Sequence, residues 1–266
     1  ERDFDLADPL VDAAHQIFPF PQCPRSELPV RQDRLSILPR ARGGVRRSCP
    51  PERDRRHAPW PYDGAVLVKW IRCTVVDRRG FERGQRKWAG LLGEPGFRGQ
   101  GGGWSRGRPG VAHIFSFWES RSFYDSFMAR SHDRLAASQS GTFKDAQVRL
   151  FDYRFDVKTG FEPRFTDADL VRVALCRVHE ERAEHFTLMQ EKVWNPAMAG
   201  SPGMIRGLFG EAPGHEFLVL SMWRSAAEHG KYRAERVERL ALRAQIEADV
   251  AALSGDIVAL EPTWIV

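Results

Sequence analysis

Leu67-Val68-Lys69-Trp70-Ile71-Arg72-Cys73-Thr74-Val75 returns 103 residues later as Leu170-Val171-Arg172-Val173-Ala174-Leu175-Cys176-Arg177-Val178. Both follow the pattern L-V-[KR]-x-x-x-C-x-V, and both read as a β-strand. A repeat at this distance is too long for a solenoid unit. It has the length of a whole small domain, so the chain reads as a duplication.

Working outward from the first strand, Asp77 can cap a helix that carries Phe81, Trp88 and Leu92 on one face, and Gly93-Glu94-Pro95-Gly96 ends it. Phe97 to Trp104 is a second strand, loosened by Gly99 and Gly101–Gly103. Arg106–Gly110 turns the chain into a third strand, Val111–Trp118. Ser120 caps a second helix with Phe123, Phe127 and Met128, and Gln147–Phe155 is the fourth strand. The order is β-α-β-β-α-β, the ferredoxin-like pattern.

From about residue 168 the order repeats. A helix follows Leu170–Val178 with Ala183, Phe186, Met189, Val193 and Trp194. Ser201-Pro202-Gly203 turns where Glu94-Pro95-Gly96 turned. Met204–Phe209 and Glu216–Trp223 are strands, Ser225 caps a long helix towards Leu253, and Ile257–Ile265 closes the sheet with Pro262 at an edge. F-W-E-S (117–120) answers M-W-R-S (222–225), and Trp88 answers Trp194. The expected fold is α+β: two ferredoxin-like repeats, 63–160 and 161–266, after a tail over 1–62. That tail holds ten of the 17 prolines and no apolar periodicity, and is expected to be mostly irregular.

A chain of 266 residues with 42% hydrophobic residues can bury a sizeable core. A net charge of +5 and a pI near 9.2 are mild for this length and describe a solvated surface, not a nucleic-acid footprint. No apolar run approaches the ~20 residues of a membrane span, and no signal-peptide core is visible. Four cysteines without a C-x-x-C pair give no support for a metal site and read as reduced thiols of a cytoplasmic protein.

V-K-W-I-R-C (68–73), G-F-x-G-Q-x-G-G-W (96–104), F-W-E-S (117–120) and His132-Asp133-Arg134 resemble the YdbC-like bacterial family. The resemblance is strongest over about 66–155. It extends more loosely to the dimeric α/β-barrel superfamily, which includes antibiotic-biosynthesis and haem-degrading monooxygenases. Members pair two ferredoxin-like sheets face to face around a ligand cavity, so the resemblance implies that a chain with two copies builds the barrel alone, as a monomer or weak homodimer. It implies a cofactor-independent monooxygenase acting on a small aromatic or polyketide-like substrate. The alternative is a non-catalytic barrel that binds a metabolite or a partner. The Asn–Trp–His triad of haem-degrading members is not carried over, because its Trp and His positions fall near Phe127 and Ala137.

Alternation assigns the strand faces. Val171, Val173 and Leu175 form an unbroken apolar face, expected under the helices. Leu170, Arg172, Ala174 and Cys176 form a mixed face, expected to look into the barrel, with Lys69 and Cys73 by the match. On the third strands Ser116 and Trp118, and Ser221 and Trp223, are expected to face inward as well. Lys69 is then expected beside Ser116, and Arg172 beside Ser221. Aromatic walls with a few cations suit a planar acidic or phenolic ligand, whose anion the cations stabilise. The substrate-binding candidates are Gln100, Trp104, Ser116, Trp118, Arg172, Ser221 and Trp223. The acid–base candidates are His132, chosen because histidine is the side-chain type suited to proton transfer near neutral pH, and Lys69. His113 is expected under the helices as a satisfied core histidine. The resulting cavity is expected to be single and asymmetric, with the first repeat supplying most polar groups and no cofactor or metal required.

Overall fold

The structure is a computed structural model and describes residues 66–158 and 160–266. The tail expected over 1–62 lies outside the described residues. The first repeat contributes strands β1 (Leu67–Val75), β2 (Phe97–Ser105), β3 (Val111–Trp118) and β4 (Phe143–Lys158). The second contributes β5 (Leu170–Val178), β6 (Met204–Ala212), β7 (Glu216–Trp223) and β8 (Val250–Leu260). They close into one antiparallel barrel in the order β1-β3-β2-β8-β5-β7-β6-β4, with β4 returning to β1. Each repeat is thus a four-stranded ferredoxin-like sheet, and the two join edge to edge at β2–β8 and β4–β6. The duplicated chain makes in one piece the barrel expected of two copies.

Helices cover the outside. In the first repeat these are α1 (Arg78–Arg86), α2 (Arg121–Arg130) and α3 (His132–Ala136). In the second they are α4 (Ala183–Met189), α5 (Asn195–Ala199), α6 (Ala226–Tyr232), α7 (Glu238–Arg243) and α8 (Ile246–Asp249). The caps lie where the residue types place them: Asp77 accepts from the Gly80 N–H at 2.9 Å, and Ser225 from the Glu228 N–H at 3.2 Å. Several boundaries differ from expectation: β4 runs over Phe143–Lys158 and not Gln147–Phe155, and β6 extends to Ala212. The long helix after Ser225 stops before Leu253, because Gln245 takes a left-handed φ of 53° and breaks the run. The last strand accordingly begins at Val250 and ends before Pro262. After α1 the backbone tightens into a 3₁₀ segment, Lys87–Gly93, which buries Leu91 and leaves Leu92 exposed.

The register agrees with the expected neighbours: Lys69 stands opposite Ser116, and Arg172 opposite Ser221. The faces are the reverse of the expected ones. Val68, Trp70, Phe115, Phe117 and Phe151 of the first repeat form one buried cluster with Val171, Val173, Leu208, Leu218, Leu220, Met222 and Val258 of the second. That shared cluster is the barrel interior. An eight-stranded barrel is just wide enough for side chains to fill, and large apolar ones fill this one. Phe161 and Phe165, from the connection between repeats, pack into it too. The mixed faces lie beneath the helices instead. The physical reason is partner supply. Inside the barrel a strand meets mostly other apolar strand faces, whereas under a helix Lys69 finds the Tyr124 ring, 5.1 Å away. His113 is likewise corrected: it points into the barrel, fully buried, accepting from Trp70 Nε1 at 3.0 Å.

Candidate functional site

Under the helices of the second repeat the mixed face opens a cavity. Its floor is Arg172, Ala174 and Cys176 of β5, Val219, Ser221 and Trp223 of β7, and Leu253 of β8. Its roof comes from the helices, with Phe186, Gln190, Trp194, His229, Tyr232 and Arg233 among them. It offers about 90 Å³ to water-sized centres. That is several times the ~10–15 Å³ one water needs on the same measure. Two π-helical turns, Gln190–Trp194 and Arg233–Val237, each set their first and last residues on its wall. Such turns widen a helix and recur at functional sites.

The polar groups are few, and most are held. Trp223 Nε1 donates to Ser221 Oγ at 2.9 Å. The Arg172 guanidinium donates to the Val173 carbonyl and lies over Gly255, where a Cβ would collide with it. His229 meets the Trp223 ring edge-on at 5.2 Å, and Tyr232 lies tilted against the same ring at 5.2 Å. The Tyr232 hydroxyl is buried and meets no hydrogen-bonding group. Burial pushes its phenol well above the ordinary range, while Arg172 and Arg236 pull against that rise. Burial likewise pushes the Cys176 thiol up to about 12, so it stays protonated and inert.

The same places in the first repeat are built differently. Trp118 stacks on Phe127 at 4.9 Å, with Tyr124 edge-on at 5.9 Å, where Trp223 meets Tyr232 and His229. Phenylalanine stands in the place of Tyr232, so the counterpart of that hydroxyl is missing. Trp88 donates to Gln139 at 2.8 Å across this space, and both side chains are buried. Burial lowers the Lys69 ammonium to about 8, against an opposing pull from Cys73.

The structure therefore brings together Arg172, Ser221 and Trp223 of the sequence candidates. It places Lys69, Ser116 and Trp118 in the first repeat's counterpart. His132 lies at the start of α3 against Trp88 and Phe127, both 5.9 Å away, with Nδ1 bonded to Asp133 at 2.9 Å. Gln100 pairs its backbone with Val266, at 3.0 and 2.9 Å, and Trp104 packs against Phe81 and Trp264. The space over the neighbouring glycines is filled by Phe165 at Gly101 and by Ala259 at Gly103. Tyr232, His229, Gln190 and Trp194 were missed as site residues. A signal existed: Tyr232 and His229 stand at the same offsets from Ser225 as Phe127 and Tyr124 do from Ser120. Polar substitution on an otherwise apolar face marks a site. Among the described residues no group of three or more His, Cys, Asp or Glu side chains could hold a metal ion, and no helix is long and apolar enough to cross a membrane.

Comparison with known proteins agrees with the fold. Residues 67–151 match the family described as a domain of unknown function, DUF4937. The chain is 36% identical over 74 residues to the uncharacterised protein YdbC of Bacillus subtilis (strain 168), a stretch covering 26% of this chain and 62% of that one. Among solved structures, a Fusobacterium nucleatum protein assigned as a monooxygenase superposes with a TM-score of 0.62 at 9% identity, over 74% of this chain and 93% of its own. A Lactobacillus acidophilus protein with the same assignment gives 0.58 at 15% identity, over 74% and 94%. An anthrone oxidase-like protein gives 0.54 at 13% identity, over 75% and 92%. The first repeat thus resembles YdbC, and the barrel as a whole has the ferredoxin-like fold of these monooxygenase-type structures.

Proposed function

We propose that the second repeat's cavity binds a small planar phenol, enol or aromatic acid as its anion, and that the chain oxidises it with O₂ without a cofactor. The observation that carries this reading is the Tyr232 hydroxyl, buried without a protein partner in a cavity that Arg172 shares. A buried donor left unmet costs about 1–3 kcal/mol, and a ligand oxygen removes that cost. Arg172 stabilises the same oxygen as an anion, and does so strongly because the surroundings are apolar. Trp194 and Trp223 supply flat walls for rings. An enolate so held is electron-rich enough to react with O₂. An activated CH₂ becomes C=O and one water leaves, with every electron supplied by the substrate. The assignment of the fold neighbours as monooxygenases lends support to the reaction class.

The test is titration of the full chain with anthrone and with 1-naphthol, followed by tryptophan fluorescence, alongside an oxygen electrode. Saturable quenching is expected. Tyr232→Phe and Arg172→Gln should each weaken binding about tenfold or more, as loss of a hydrogen bond to a charged group does, while Ser116→Ala leaves it unchanged. Oxygen uptake with anthrone is expected to follow binding. Binding without uptake assigns the cavity to metabolite capture, and absence of quenching removes the proposal.

A further inference from the structure

The strand registers place the two repeats about a pseudo-twofold. Trp70 stands opposite Arg149, and its counterpart Val173 stands opposite Asp256. Arg149 and Asp256 therefore hold the same place in the two repeats and carry opposite charges. Val111 and Glu216 are matched in the same way, through Thr74 and Arg177. Between the repeats Arg149 of β4 meets Glu216 of β7. On the opposite side Asp256 of β8 meets His113 at 2.9 Å and Arg108 at 2.7 Å. Arg154 of β4 meets Glu211 of β6 at 3.2 Å. In each of these pairs the base belongs to the first repeat and the acid to the second.

We propose that the junction between repeats is a charge-coded docking surface. The first repeat's sheet edges fit a ferredoxin-like partner that carries carboxylates at the places of Glu211, Glu216 and Asp256, and that partner is the second repeat of the same chain. Two first repeats would set Arg149 in the place of Asp256, against Arg108 and the fully buried His113. Two second repeats would set Asp256 in the place of Arg149, against Glu216. Either pairing of like repeats brings like charges together, one of them at a buried position where an uncompensated charge is costly. The exposed pairs add little stability as such. Their effect is discrimination, since like-charge juxtaposition rejects wrong partners more strongly than ion pairing favours the right one. A duplicated chain needs this discrimination, because similar repeats could otherwise pair between molecules and swap.

The test uses the full chain and three variants: Arg149→Glu, Glu216→Arg, and both together. Urea unfolding and size-exclusion chromatography with light scattering are the measurements. Each single reversal is expected to raise the unfolding equilibrium constant roughly fivefold to tenfold and to raise the share of dimers and larger species. The double reversal restores opposite charges and is expected to recover the wild-type constant to within about threefold, with the wild-type elution. A parallel cycle on Arg154 and Glu211 keeps the test intact if one single variant fails to fold. Single variants indistinguishable from wild type, or doubles no better than their worse single, overturn the proposal. Ligand binding plays no part in these readouts, so they stand apart from the proposed function.

Discussion

His113 shows how one side chain fixes its own protonation. Trp70 Nε1–H donates to Nδ1, so Nδ1 is the acceptor and Nε2 carries the proton given to Asp256. A second proton would set two N–H groups against each other inside the barrel. Burial lowers the His113 pKa below its ordinary 6.5, against the opposing pull of Asp256. Burial pushes Asp256 up, but bonds from His113, Ser105 and Arg108 outweigh it and hold the carboxyl at about 2. Both depressions have the same sign for stability. The His113 contribution is complete above pH 6.5 and is lost as pH falls below it. The Asp256 contribution is complete above its ordinary value of 3.8, and amounts to roughly 2 kcal/mol lost between about pH 4 and pH 2. Urea unfolding at pH 7.5 and 5.5 should show wild type losing more stability on acidification than His113→Gln. Equal losses in the two proteins would contradict this account. That His113 is a satisfied core histidine was legible in the sequence; its partners were not, because Asp256 lies 143 residues away and only barrel closure brings them together.

At the scale of elements, the glycine-rich β2 reads in sequence as loosened, and the structure gives the reason for its composition. Phe165 lies over Gly101, and the Ala259 carbonyl occupies the space a Cβ at Gly103 would need. The close approach is what lets β8 pair with β2, Gly103 standing opposite Leu260. Gly103→Ala is expected to cost about 3 kcal/mol or more, because the obstacle is backbone that cannot rotate away. Gly107, with open space around it, should accept alanine within ~0.5 kcal/mol. Thermal melts of the two variants compare them directly, and equal melting temperatures would count against the close approach. Strand existence, order and register were legible from the repeated L-V-[KR]-x-x-x-C-x-V pattern and the capping residues. The choice of faces was not. Alternation separates an apolar from a mixed face, but in a closed barrel both faces are buried, and which one meets helices depends on where polar side chains find partners.

At the scale of the molecule, duplication frees the two repeats to differ. They keep the Lys69–Ser116 and Arg172–Ser221 neighbours, and Trp118 and Trp223 each pack on a ring of the following helix. They part at Phe127 against Tyr232 and at Tyr124 against His229. The asymmetry expected from the sequence is present, but the open cavity lies in the second repeat, under its helices, and not between the sheets. Hydrogen–deuterium exchange on the full chain, with and without saturating 1-naphthol, tests this placement most directly. The account predicts slowed exchange over 172–176, 183–199 and 226–246, with 121–139 unchanged. Slowing confined to 121–139, or spread along the strands lining the barrel interior, would contradict it.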